Sequence, residues 1–177
     1  RHRRNRGFAI SCNTGVRAAR HEVVLLLNND VMVTPDFLPP LLRHLSRPEV
    51  FAVTPRLRGW DGLPSRQGMR YRGLFDHAYL RTIMDEHSDQ LREPVPTLFA
   101  IGAACLMRKS DFFWLGGFDP LYRPYGVEDV DLCYKAWKRG LQVVYEPRSL
   151  ASHKLHGTIG RYDMRVIFRN ELLLMWQ

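Results

Sequence analysis

Three carboxylates, Glu128, Asp129 and Asp131, stand within four consecutive residues of the run Gly126-Val127-Glu128-Asp129-Val130-Asp131-Leu132-Cys133. Val130, Cys133, Tyr134 and Trp137 fall at helical spacing, so the acids crowd the first turn of an amphipathic helix. One or two acids there complement the partial positive charge and the unpaired N–H groups of a helix start. A third adds mutual repulsion. A carboxylate held among carboxylates has a raised pKa, which suits a general base. The plainer alternative is a charged, solvated helix start, which the pattern alone does not separate from a catalytic one.

A second constellation, Asn28-Asn29-Asp30, follows directly on the apolar run Val23-Val24-Leu25-Leu26-Leu27. That run is short, starts β-branched and is bounded by polar residues, which predicts a buried strand of a parallel sheet. Ligands of open α/β sheets gather beyond the carboxyl ends of strands, where a carboxylate can hold a hard divalent cation that bridges phosphate oxygens. A simple turn is the alternative, since Asn and Asp favour turns. His153, 24 residues after Asp129, is a candidate ligand for metal or phosphate, and His156 has equal local appeal. Gly7-Phe8 and Asn13-Thr14-Gly15 flank a short helix whose backbone N–H groups could meet phosphate or ribose, although no P-loop or dinucleotide fingerprint accompanies them. Arg66, Arg70, Arg72 and Arg81 could meet a diphosphate or an anionic lipid head group, and a solvated basic loop explains them as well.

Elements must position these groups. The patterns predict helices over residues 11–20, from Thr34-Pro35 to about Ser46, over 110–115, over 128–139 with Gly140 as the stop, and from about Arg161 onward. Strands are predicted at 23–27, 50–57, 97–107 and 141–145, with Ser152-His153-Lys154 opening a loop. Residues 59–96 have weak periodicity, with a short helix expected around 74–85; a connection of that length is usually functional or mobile. Alternating strands and helices predict an α/β fold with a mostly parallel central sheet flanked by helices.

Composition narrows the function. With 177 residues and 45% apolar content, the chain can bury a core and is not a disordered polymer. No apolar run approaches the ~20 residues of a membrane span, and no signal peptide is visible. Cys12, Cys105 and Cys133 are odd in number and widely spaced, which fits neither a disulfide framework nor a metal cluster and suggests a reducing cytoplasm. A net charge of +8 favours anionic partners such as nucleotide diphosphates or anionic lipid, while no zinc-finger or RNA-recognition signature supports nucleic acid. The chain does not begin with Met and ends in mid-pattern on Glu171-Leu172-Leu173-Leu174-Met175-Trp176-Gln177, so it is expected to be a fragment.

Taken together, Asn5-Arg6-Gly7-Phe8-Ala9, Asn13-Thr14-Gly15, Leu25-Leu26-Leu27-Asn28-Asn29-Asp30-Val31, Gly102-Ala103-Ala104-Cys105-Leu106-Met107-Arg108, Gly116-Gly117-Phe118-Asp119 and Glu128-Asp129-Val130-Asp131-Leu132 stand in the order seen in family 2 glycosyltransferases. Gly140, Pro147 and His153 continue that order. The chain resembles the rhamnosyltransferase-like, cell-envelope members of that family, which have the GT-A fold. The resemblance implies inverting transfer of a sugar from a nucleotide-diphosphate donor to a hydroxyl of a glycan or lipid-linked acceptor, at the cytoplasmic face of the membrane with peripheral contact. It implies Asp129 as general base beside an acceptor-binding Glu128. Asp30 and His153 would be ligands of Mg²⁺ or Mn²⁺. Asn5, Gly7, Phe8, Asn13, Gly15, Asn28 and Asn29 would face the donor. Gly102, Ala103 and Asp131 would lie on the substrate side, Asp131 also orienting the helix. Asn28 departs from the first Asp of the usual metal motif, and an amide oxygen brings no charge. The family's first strand has no counterpart here, so the isolated chain is expected to bind donor poorly and have little activity. A non-catalytic truncated domain that binds glycan or a protein partner is the alternative. A nucleotidyltransferase is a third, without a phosphate loop to support it.

Overall fold

A computed structural model describes residues 3–77, 79–154 and 163–176. In chain order its elements are α1 (Phe8–Ala18), β1 (Val23–Leu27), β2 (Val31–Val33), α2 (Leu38–His44), β3 (Val50–Gly59), β4 (Tyr71–Asp76), β5 (Tyr79–Met84), β6 (Val95–Pro96), β7 (Ala104–Arg108), α3 (Lys109–Trp114), α4 (Glu128–Lys138), β8 (Gln142–His153) and α5 (Met164–Met175). The central sheet runs β1-β7-β3-β8-β2, with β6 also paired to β8. Helices cover both faces, as expected of an α/β fold.

Strand direction corrects the sequence expectation. Among the described residues only β3 and β8 pair in parallel; β1–β7, β3–β7, β2–β8 and β6–β8 are antiparallel. An apolar run records that a strand is covered, whichever way its neighbours point. The central β3 is buried along almost its whole length, and alternate residues of β7 feed opposite faces. Cys105 and Met107 join Phe51, Phe112, Leu132, Cys133 and Ala136 in one core; Ala104 and Leu106 join Leu41, Val50, Val53, Val144 and Ala151 in the other.

Other boundaries move for local reasons. The second helix starts at Leu38 rather than Thr34, because Pro39 and Pro40 have no N–H and fit only its first turn. Residues 34–37 form a turn closed by Phe37 N–H on the Thr34 carbonyl at 3.1 Å. The expected helix at 74–85 is instead the β4–β5 hairpin, in which Asp76 pairs with Tyr79 and Tyr71 with Met84. Of the expected strand 97–107 only the end forms, as β7 from Ala104; residues 97–103 are irregular and follow β6. His153 ends β8 rather than opening a loop, paired with Val31 of β2 and Gly59 of β3. The start of the last helix expected near Arg161 lies outside the described residues, as does His156.

One irregularity of β8 bears on the site. Pro55 pairs with Glu146, but the next residue of β3, Arg56, pairs with Leu150, so Pro147, Arg148 and Ser149 bulge from the ladder. Glu146 anchors the bulge. Its buried carboxylate meets His44 at 2.8 Å, and the Arg148 backbone N–H and Nε each donate to it at 2.9 Å.

Candidate active site

The acids at the start of α4 and the turn after β1 meet at one cavity of about 380 Å³. Glu128 and Asp129 line it together with Phe8, Asn28, Asp30, Gly102, Ala103 and His153. Its volume lies within the range of small-molecule sites.

Asp129 is half-buried and fixed from two directions: the Gly102 N–H donates to Oδ2 at 3.0 Å and its own neighbour Val130 N–H to Oδ1 at 2.9 Å. Gly102 can approach because it has no side chain; a Cβ there would lie 2.8 Å from the Phe8 ring. Burial raises the Asp129 pKa above the usual carboxylate range, and the backbone donors restrain that rise. Burial, then the charge of Asp129, pushes Glu128 up to about 8. Burial raises all three carboxyls, as the crowded acids suggest, but only Glu128 and Asp129 line the cavity. Asp131 is 1% exposed, pairs with Lys135 one turn further along the same helix at 2.7 Å and does not line the cavity.

The backbone before α4 is strained and stapled. Val127, a β-branched residue, has φ 77°, in the left-handed region that such side chains avoid. Asn170 of α5, with no exposed surface, donates through Nδ2 to the carbonyls of Tyr122, Tyr125 and Gly126 at 2.8, 2.9 and 2.9 Å. Arg169 beside it donates to the Arg123 carbonyl. This clamp holds the segment that aims Glu128 and Asp129.

The opposite wall comes from strand ends. Asn28 N–H donates to the Ala103 carbonyl at 2.9 Å and Val31 N–H to the Asn28 carbonyl at 3.2 Å, which turns the chain sharply between β1 and β2. Asp30 Oδ1 lies 3.1 Å from His153 Nε2. That separation is about the distance between adjacent oxygen or nitrogen ligands of an octahedral Mg²⁺ or Mn²⁺. The donor set, one carboxylate and one imidazole, therefore fits a divalent cation. Among the described residues no third His, Cys, Asp or Glu joins them, leaving positions for water and phosphate oxygens. Lys154 lines the same wall and lies 5.0 Å from the Trp60 ring.

Several predicted donor contacts are placed elsewhere. Asn13 is occupied by the Phe118 backbone, accepting from its N–H at 3.0 Å and donating to its carbonyl at 2.8 Å, so its amide fastens α1 to the turn after α3. Gly15 and Asn29 do not line the cavity, and Asn5 caps the Gly7 N–H at 2.9 Å. Gly7 packs on the loop before α4, where a Cβ would lie 3.2 Å from the Pro124 carbonyl. Arg70 pairs with Asp85 at 3.1 Å, and Arg66, Arg72 and Arg81 do not line the cavity. Sequence reasoning missed Gln67, Tyr125, Lys154, Met164 and Ile167 as lining residues. Only Lys154, next to His153, carried a positional signal. Five buried side-chain polar atoms lack a partner among the described residues, and three of them, on Gln67, Glu128 and His153, belong to residues of this cavity.

Comparison with known proteins agrees with the architecture. Residues 1–113 match the model described as Glycosyl transferase family 2, and residues 83–165 match that of the N-terminal domain of galactosyltransferase. The chain belongs to glycosyl transferase family 2. It is 27% identical over 152 residues to a pre-mycofactocin glycosyltransferase of Mycobacterium tuberculosis, covering 86% of this chain and 31% of that protein. It is 30% identical over 152 residues to the Mus musculus polypeptide N-acetylgalactosaminyltransferase 10, covering 78% of this chain and 24% of that protein. The crystal structure of GalNAc-T7 with UDP, GalNAc and Mn²⁺ superposes with a TM-score of 0.70 at 23% identity, over 89% of this chain and 32% of its own. The fold is GT-A. The chain thus spans between about a quarter and a third of these three proteins.

Proposed function

We propose that this chain carries the catalytic cavity of an inverting glycosyltransferase that moves a sugar from a nucleotide-diphosphate donor to a hydroxyl of a glycan or lipid-linked acceptor. One observation carries the proposal: a fixed carboxylate with a raised pKa and a two-ligand cation wall share one cavity.

Asp129 takes the proton of the acceptor hydroxyl as its oxygen attacks the anomeric carbon. The bond from that carbon to the diphosphate oxygen breaks, and its electron pair leaves with the diphosphate. Attack from the side opposite the leaving group inverts the centre. The two backbone N–H groups, one on each oxygen of Asp129, fix the orientation of its carboxylate while burial makes the proton worth keeping. Glu128, largely protonated near neutral pH, donates to an acceptor oxygen. Asp30 and His153 would hold Mg²⁺ or Mn²⁺, which when bound neutralises charge developing on the departing diphosphate. Asn28 and Lys154 bind on that side, Lys154 toward phosphate. A relative solved with UDP and Mn²⁺ supports the donor class and the metal. The acceptor, the envelope pathway and the contact with a membrane rest on the family resemblance; no helix among the described residues is long and apolar enough to cross a membrane.

The test is Asp129→Asn in the intact protein. Sugar transfer should fall by about 10³-fold, with donor affinity by calorimetry within about twofold of the original. Substantial turnover by that variant removes Asp129 as base.

A further inference from the structure

The turn at Arg66–Gly68, inside the long connection, brings one side chain into the cavity and is locked against the sheet. A Cβ on Gly68 would lie 1.8 Å from the Leu57 carbonyl oxygen, so only glycine lets the turn sit this close to β3. The Gly68 carbonyl accepts from the Tyr145 hydroxyl at 3.0 Å, and the Arg66 carbonyl from the Tyr71 hydroxyl at 2.8 Å. Leu57 stands two residues before Gly59, the partner of His153, which puts the turn beside the cation wall. From this rigid base Gln67 lines the cavity, half-buried, with a buried Oε1 that has no hydrogen-bond partner.

An amide oxygen is an acceptor and needs an O–H or N–H. The phosphates of a donor offer that position only further acceptors, and the cation wall is built from Asp30 and His153. A sugar offers hydroxyls. We infer that Gln67 recognises a hydroxyl of the transferred sugar and so sets which donor sugars this cavity accepts; this rests on the glycosyltransferase reading above.

The experiment uses the intact protein, a panel of UDP-, dTDP- and GDP-sugars, and the monodeoxy analogues of whichever donor is turned over. The original protein should prefer the parent sugar over one deoxy analogue by about 10²-fold or more in kcat/KM. Gln67→Leu should lose about that factor on the parent sugar alone, bringing the pair within about threefold. Gln67→Glu, which keeps an acceptor oxygen, should retain most of the preference. Leucine and glutamate variants that both discriminate as the original does would overturn the assignment. Discrimination that vanishes for a deoxy acceptor instead would overturn the choice of donor sugar. If no sugar is transferred from any donor, the transferase reading falls and Gln67 with it. If transfer is normal and the preference is unmoved, Gln67 alone falls.

Discussion

The two walls of the cavity are built to different standards. The acid wall is over-determined: two backbone donors on Asp129, a glycine pressed on Phe8, a strained Val127, and three carbonyls gathered by one buried amide. The cation wall, among the described residues, has the contact of Asp30 with His153 and the packing of Lys154 on Trp60. A base must meet one proton in one direction, and nothing but the protein can aim it. A cation wall receives much of its structure from outside, since the ion, water and phosphate oxygens complete the coordination. Rigidity is concentrated where no ligand can supply it.

Three substitutions probe that contrast. Asn170→Ala removes the donor from one buried and two part-buried carbonyls and should destabilise the protein by about 3 kcal/mol, read by urea unfolding. Folded Asn170→Ala should also lose kcat while donor KM hardly moves, because the clamp aims the acids and not the donor. A variant with unchanged kcat would make the staple a matter of stability only.

Asp30→Ala should act on the other wall with the reverse signature. Half-saturating Mn²⁺ should rise by about 10–100-fold, while the unfolding midpoint stays nearly constant, because Asp30 makes few contacts within the protein. Unchanged metal dependence would remove Asp30 from the cation site.

The smallest effect is expected from Glu128→Gln, and it depends on pH. The folded pKa of Glu128 is raised to about 8 from 4.5, so its stabilising protonated form is complete below pH 4.5 and is lost as pH rises through about 8. The original protein should therefore lose melting temperature between those limits, and Glu128→Gln should lose less. Parallel melting profiles for the two proteins would mean that Glu128 is solvated.

Much of this was legible in the sequence where the signal is local. The helix at Glu128, its stop at Gly140 and the strand ending before Asn28 stand where periodicity and turn residues put them. The meeting of Asp129 with Asp30 in one cavity follows from family order, not from composition. The direction of the strands was illegible because coverage, not polarity of the neighbour, writes the apolar pattern. The hairpin escapes the sequence pattern because the turn after Asp76 opens on His77 and not on a glycine. The Asn13 amide meets a backbone 105 residues away, Asn170 Nδ2 meets carbonyls 44 to 48 residues away, and Gln67 enters the cavity only through the packing of its turn on β3, so no window of sequence could assign them.

The bulge in β8 has its own consequence for the cavity. Side chains alternate along a strand, so the number of residues set aside between Glu146 and Leu150 decides which side of the sheet His153 serves. Odd and even counts give opposite answers. Shortening the bulge by a single residue would turn the imidazole away from the face it shares with Ala151, Leu41 and Val53, and its contact with Asp30 would be lost through a change at Pro147, Arg148 and Ser149, none of which lines the cavity.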